Sequence, residues 1–148
     1  MISQKAKYAL RALLLLCKAP PESSLMIAEI SKAQSIPKKF LEQILLELKR
    51  AGIVTSRRGR LGGYVLLRPA DKLTFGEVLR LIDGPIAPLP CLSKVAYRRC
   101  TDCQDETTCE IRHVFAHVVS AQREVLDHTT FADAVRAGRG PEAVLPDR

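Results

Sequence analysis

The sequence has no tryptophan, no internal repeat and no low-complexity tract. Its longest apolar run, Ala12 to Cys17, is far short of the roughly 20 residues a membrane-spanning helix needs. That run stops at Lys18 without the small-residue site where a signal peptide is cut, so a soluble, cytoplasmic protein is expected, with no membrane partner. Phosphate-binding P-loops, dinucleotide-binding glycine motifs and the Gly-x-Ser-x-Gly elbow of serine hydrolases are all missing. With little chain left over for a substrate pocket, these gaps argue against an enzyme and against a small-molecule substrate. What remains is 148 residues, 47% hydrophobic and 26% charged, enough to bury one compact core with an appendage.

Charge is unevenly placed. Residues 1–68 hold 13 Lys or Arg against 4 Asp or Glu, whereas residues 69–148 hold 10 against 12. A basic front half followed by a near-neutral back half points to a polyanion-binding module joined to something else.

The periodicities agree. Residues 3–17, with Tyr8, Leu10, Leu13, Leu14 and Leu16 among good helix formers, read as a first helix that Pro20-Pro21 ends. A short second helix runs from about Met26 to Ala33. Pro37 then opens a third, to Ala51, in which Phe40, Leu41, Ile44, Leu45 and Leu48 fall within an arc of roughly 140°. The opposite side collects Lys38, Lys39, Glu42, Gln43, Lys49 and Arg50, with Leu46 the one apolar intruder, and Gly52 caps the end. Ile53–Ser56 and Tyr64–Leu67 are β-prone runs around Arg57-Arg58-Gly59-Arg60-Leu61-Gly62-Gly63, a hairpin with three arginines at its tip. Thr74 and Glu77 form a capping box opening a fourth helix through Ile82. Residues 85–109 read as a long loop, and Glu110 to about His128 as a last long helix with Ile111, Val114, Phe115, Val118, Ala121, Gln122 and Val125 near one stripe.

Helix, short helix, turn, amphipathic helix and basic hairpin describe a winged helix-turn-helix. Glu42 can accept from a cytosine amino group and Gln43 can bond an adenine edge. Lys38, Lys39 and Lys49 suit phosphates. Arg58 and Arg60, with Arg57 beside them, suit the enhanced negative potential of a narrow minor groove, and Gly62, Gly63 and Tyr64 complete the wing. A solvated amphipathic helix would explain one helix but not the helix, wing and charge asymmetry together.

The cysteines are clustered. Cys17 sits alone in an apolar helix and reads as a small buried hydrophobe. Cys91, Cys100, Cys103 and Cys109 lie within 19 residues, spaced Cys-x8-Cys-x2-Cys-x5-Cys. Thiolates are the preferred ligands of iron–sulfur clusters, and four in one flexible loop can wrap one. A four-thiolate zinc site would also satisfy them, although zinc ribbons usually show two Cys-x2-Cys pairs and this loop has one. So would a metal-free thiol switch, in which Arg98 and Arg99 would lower the Cys100 thiol pKa. His113 and His117 lie four apart on one helix face without the glutamate of a zinc protease motif, as surface or interface residues would.

Phe40-Leu41-Glu42-Gln43-Ile44-Leu45, then Leu48-Lys49-Arg50-Ala51-Gly52-Ile53-Val54, then Arg58-Gly59-Arg60-Leu61-Gly62-Gly63-Tyr64 resemble the family of the iron–sulfur cluster regulator (IscR), the nitric oxide regulator (NsrR) and the rhizobial iron regulator (RirA). This family is also called Rrf-two, and the resemblance covers roughly residues 1–130. It implies a homodimeric winged-helix transcription regulator whose long last helix crosses to the partner, with a cluster loop between the fourth helix and that one. Cys103 and Cys109 match a Cys-x5-Cys pair of the family. Its members usually carry three such cysteines, the fourth ligand being a histidine or a carboxylate. Here Cys91 and Cys100 compete for the third place, or all four bind; His113 could substitute.

The expectation is therefore a mostly α fold with a small β wing. Residues 1–83 would form the DNA-binding domain, 84–109 the cluster loop, 110–130 the dimerisation helix and 131–148 a mobile tail. The function expected is sequence-specific binding of a double-stranded operator by a homodimer, switched by an iron–sulfur cluster of two or four irons. Zinc, a thiol switch or a protein-binding adaptor are the alternatives.

Overall fold

A computed structural model describes residues 2–138. Helix α1 (Gln4–Lys18) begins where the Ser3 hydroxyl accepts the Ala6 N–H at 3.0 Å, a side-chain cap for a donor the helix cannot pair. Its alanines Ala6, Ala9 and Ala12 are buried together with Leu13 and Leu16, so neighbouring helices approach closely. Helix α2 (Ile27–Gln34) buries Ile30 and ends at Ser35 in the left-handed region, which turns the chain into α3 (Lys38–Arg50). On α3 the side chains of Leu41, Ile44, Leu45 and Leu48 are fully buried; each is worth about 1.5–3 kcal/mol over exposure. Phe40, expected in the same arc, is half-buried at its edge and meets Tyr8 of α1 edge-on, ring centroids 5.6 Å apart.

Strands β1 (Val54–Arg57) and β2 (Gly63–Leu66) pair antiparallel, with Val54 opposite Leu66 and Arg57 opposite Gly63. Both start one residue earlier or later than the apolar runs suggest. The cause is that ladder bonds, not hydrophobicity, set strand ends. Helix α4 (Phe75–Asp83) carries the expected capping box: Thr74 Oγ1 accepts the Glu77 N–H and the Glu77 carboxylate accepts the Thr74 N–H. Helix α5 covers Glu110–His128, as the periodicity indicates.

Residues 131–148 were expected to be mobile, yet Phe131–Ala137 form a sixth helix, α6, packed against α1. Phe131 is fully buried and stacks on Phe75 at 4.6 Å. Backbone bonds from Phe75 to Thr129 (3.2 Å) and from Phe131 to Leu73 (3.0 Å) clamp the end of α5 to the start of α4. The part of the expected tail after Gly138 lies outside the described residues. The winged-helix architecture, mostly helical with a two-stranded wing, is as the sequence indicates.

Candidate nucleic-acid interface and cysteine loop

The buried face of α3 fixes where its other face points. Lys38, Lys39, Glu42 and Gln43 occupy the first half of the helix and are all exposed. Lys38 and Glu42, one turn apart, line a shallow groove of about 470 Å³ with Met26, Ile27 and Ala28 from the start of α2 and Ser56, Arg57, Gly63 and Tyr64 from the wing. Lys39 and Gln43 are not among the groove residues and flank it on the helix.

The three expected arginines divide into two kinds. Arg57 donates to the Glu22 carbonyl at 3.0 Å and lies 3.8 Å from the Glu22 carboxylate, so it fastens the wing to the segment between α1 and α2. Arg58 and Arg60 are exposed and have no hydrogen bond or ion pair among the described residues. Lys49 is also engaged: its ammonium donates to the Ser56 hydroxyl at 2.6 Å, tying the end of α3 to β1.

Tyr64 is part of the same fastening. Its N–H donates to the Leu25 carbonyl at 2.7 Å and its carbonyl accepts the Leu25 N–H at 3.0 Å, a bridge that extends the hairpin by one residue of a third segment. Gly63 makes this possible: a Cβ there would sit 2.6 Å from the Leu25 backbone, and its φ is +147°. Ser24 Oγ donates to the Leu61 carbonyl at 2.6 Å. The wing is thus held at Glu22, Ser24 and Leu25. Sequence patterns assigned neither Ser24 nor Ser56 a part in this fastening, because a lone small polar residue carries no periodic signal.

The cysteine loop is built differently. Its only regular element is a single 3-10 turn at Pro90–Leu92, which buries Cys91 at 6% exposure. Arg123 of α5 donates to the Leu92 carbonyl at 2.9 Å, joining this turn to the inner face of α5 beside buried Val119. Arg80 of α4 pairs with Asp127 at 2.5 Å below it, and at Gly76 a Cβ would meet the Asp127 carboxylate at 2.1 Å. A side chain there would have to displace the Arg80–Asp127 pair, the nearest backbone atom being the Leu126 carbonyl at 3.2 Å.

Further along, the Tyr97 hydroxyl donates to Glu106 at 2.5 Å, while Arg99 donates to the carbonyls of Cys103 (3.1 Å) and Gln104 (2.8 Å). Cys109 caps α5, its Sγ accepting the Arg112 N–H at 3.4 Å. The Arg112 Nε beside it is buried with no hydrogen-bond partner, its nearest anion being Glu106 at 3.8 Å.

Arg98 and Arg99 were expected to lower the Cys100 thiol pKa. Instead it is raised, by desolvation first, then by Cys91, with Asp102 and Cys103 adding to it. Arg99 is occupied with two backbone carbonyls, and the groups facing Cys100 disfavour a second negative charge. That environment argues against a reactive Cys100 thiolate in the metal-free chain. Cys17 is partly covered by the core, and burial pushes its thiol up to about 11.

Four free thiols on one loop are soft ligands of the kind a thiolate-held group takes, with the Asp102 carboxylate near Cys100. Cys91 and Cys100 are neighbours, and the Cys103 N–H donates to the Cys100 carbonyl at 3.3 Å. Among the described residues no three His, Cys, Asp or Glu side chains are gathered as one ligand set, so any such group would draw the loop together on binding. His113 and His117 are exposed on α5.

On α5, Ile111, Val114, Phe115, Val118 and Val125 are exposed, an apolar stripe beside the docked face; its Val118 and Val125 line a cavity with Leu79, Ile86 and Pro88. No helix among the described residues is long and apolar enough to cross a membrane.

Comparison with known proteins agrees with these features. The profile of the Rrf2 family, described as iron-dependent transcriptional regulators, matches residues 2–137. An rrf2-like helix-turn-helix-type transcriptional regulator of Rhodobacter capsulatus is 49% identical over 99% of this chain and all of its own length. Among solved structures, CymR, the global cysteine regulator of Bacillus subtilis, superposes with a TM-score of 0.77 at 31% identity, covering 92% of this chain and 96% of that one. An IscR from T. potens superposes at 0.73 with 25% identity, covering 94% of this chain and 88% of that one. By sequence over nearly its whole length, and by fold, this chain belongs to the Rrf2 family of winged helix-turn-helix transcriptional regulators.

Proposed function

We propose that the chain acts as a homodimer that binds a specific operator, with an affinity set by an iron–sulfur cluster in the loop between α4 and α5. The observation that carries the DNA reading is the pairing of an exposed polar face on α3 with a wing tip whose Arg58 and Arg60 have no partner among the described residues. Glu42 and Gln43 would contact base edges in the major groove, Lys38 and Lys39 the flanking phosphates, and Arg58 and Arg60 the adjacent minor groove. Arg57, Lys49, Gly63 and Tyr64 position the wing; their hydrogen bonds are spent within the protein.

The apolar stripe on α5 supports dimerisation. Its side chains are exposed on the single chain, and burying them against a second copy would be favourable. Cys91, Cys100, Cys103 and Cys109 are the ligands of the reading, Cys109 sitting at the first turn of the dimer helix. The group would supply one-electron redox and ligand-exchange chemistry. Drawing Cys103 and Cys109 towards Cys91 would act on α5 from its start, while Arg123 and the α4–α5 clamp transmit the change to the head. Half-sites lie about 34–36 Å apart on one face of B-DNA, so a small change in the separation of two α3 helices alters the grip.

The test of the DNA half is direct. Arg58→Ala should weaken binding to a selected operator about tenfold and shrink the slope of affinity against salt by about one unit per protomer. Unchanged affinity and slope would refute it. Exchanging Glu42 for glutamine should instead shift base preference with little change in that slope.

A further inference from the structure

Leu61 has the most exposed large apolar side chain among the described residues, at 89%. It stands at the tip of the wing, between the unpaired Arg60 and the glycine pair that starts β2. An exposed leucine on a floppy tip would be unremarkable, since lone apolar residues on surfaces are common. This one is held. Its carbonyl accepts the Ser24 hydroxyl at 2.6 Å, and the Gly62 N–H closes the tip onto the Gly59 carbonyl at 2.9 Å. Arg57 and Tyr64 fasten the two strands beneath it to Glu22 and Leu25. The fold fixes the backbone of Leu61 from three sides and leaves its side chain uncovered.

The charge around it selects the occupant. Arg58 and Arg60 are exposed on the same turn, and no carboxylate is paired with either among the described residues. A greasy side chain bracketed by two free guanidinium groups matches the chemistry of the minor groove: phosphates on both walls and, between the stacked bases whose polar edges form the floor, apolar faces that a wedge can reach. Leucine is also one of the side chains that enter that groove as wedges, partly unstacking a base step and bending the duplex. We infer that Leu61 is such a wedge, inserted at a pyrimidine–purine step in the minor groove beside each half-site. The inference rests on the DNA-binding reading above. Pyrimidine–purine steps are the ones that unstack most easily, so Leu61 would impose sequence preference at a position where no polar side chain reads a base.

The test uses the full-length protein and duplexes it selects from a random pool, with 2-aminopurine, whose fluorescence rises on unstacking, placed across the flanking minor groove. Wild-type protein should raise the signal at one step per half-site, and the selected pool should be enriched there in pyrimidine–purine steps. Leu61→Ala should abolish the rise, flatten the enrichment and weaken binding by about fivefold. Leu61→Met, which keeps an apolar wedge, should restore the signal. If Leu61→Ala binds with the same affinity, fluorescence and step preference as the wild type, the wedge is excluded. Tight wild-type binding without any rise excludes it too. Arg58→Ala separates the two readings: lost affinity with that variant sustains the DNA interface even where the wedge fails, and an unchanged affinity removes both.

Discussion

The head and the cysteine loop of this chain are built on opposite plans. In the head, α1, α3 and the wing share one core whose side chains from Leu13 to Val54 are almost all fully buried, and the wing tip is pinned at Glu22, Ser24 and Leu25. In the loop, a single 3-10 turn and a few polar bonds hold residues 85–109, and only Cys91 and Ser93 are buried. A DNA-reading surface gains from being prearranged, because it then loses little entropy on binding. A sensing loop needs the reverse, since a ligand can shift only a segment that has more than one arrangement.

The largest contrast should appear in stability. Leu45→Ala, which empties a fully buried position on α3, should cost about 3 kcal/mol of unfolding free energy. Cys103→Ala, in the loop, should change apoprotein stability by no more than about 0.5 kcal/mol while abolishing retention of iron and sulfide. Equal losses of stability in the two variants, by denaturant titration, would break the contrast.

Thiol chemistry should sharpen it. With its pKa near 11, Cys17 is thiolate in roughly one molecule per thousand at about pH 8. In metal-free protein, iodoacetamide should therefore modify Cys103 and Cys109 well before Cys17. Mass mapping that finds Cys17 labelled first would contradict the burial of α1.

The smallest effect lies at α6. Hydrogen bonds from the Thr130 side chain and backbone, then from Arg136, hold the Asp133 carboxyl down at about 2, against an ordinary value of 3.8. A carboxyl lowered in the folded state contributes stability above its unfolded pKa and loses it as pH falls through the folded one. Wild-type protein should thus lose a small increment between about pH 4 and pH 2 that Asp133→Asn lacks, the group being exposed and screened. Parallel melting curves for both proteins across that window would remove this cap from the account.

Legibility in the sequence followed the same division. Alternating burial made α3 readable, because Leu41, Ile44, Leu45 and Leu48 must all face one way. Helix α5 was readable to its ends, including the stripe that its own fold leaves uncovered. Helix α6 was not: seven residues hold too little periodicity, and its cap uses Asp133 where the familiar signature has glutamate or glutamine. Residue type revealed that arginines gather at the wing but not that Arg57 would turn back to Glu22, a contact between segments 35 residues apart. Adjacency in sequence also misjudged Arg99, which reaches forward to Cys103 and Gln104 instead of lowering the thiol pKa of its neighbour.

The most direct test of the central claim compares one preparation in two states. Protein reconstituted with iron and sulfide without oxygen, and the same protein after chelation, should be titrated against its selected operator at fixed salt. The account predicts affinities that differ by at least about fivefold, the lower end of useful coupling between sites, and a difference that vanishes in Cys109→Ala. Identical affinities in protein whose absorption and iron content confirm a full cluster would contradict it.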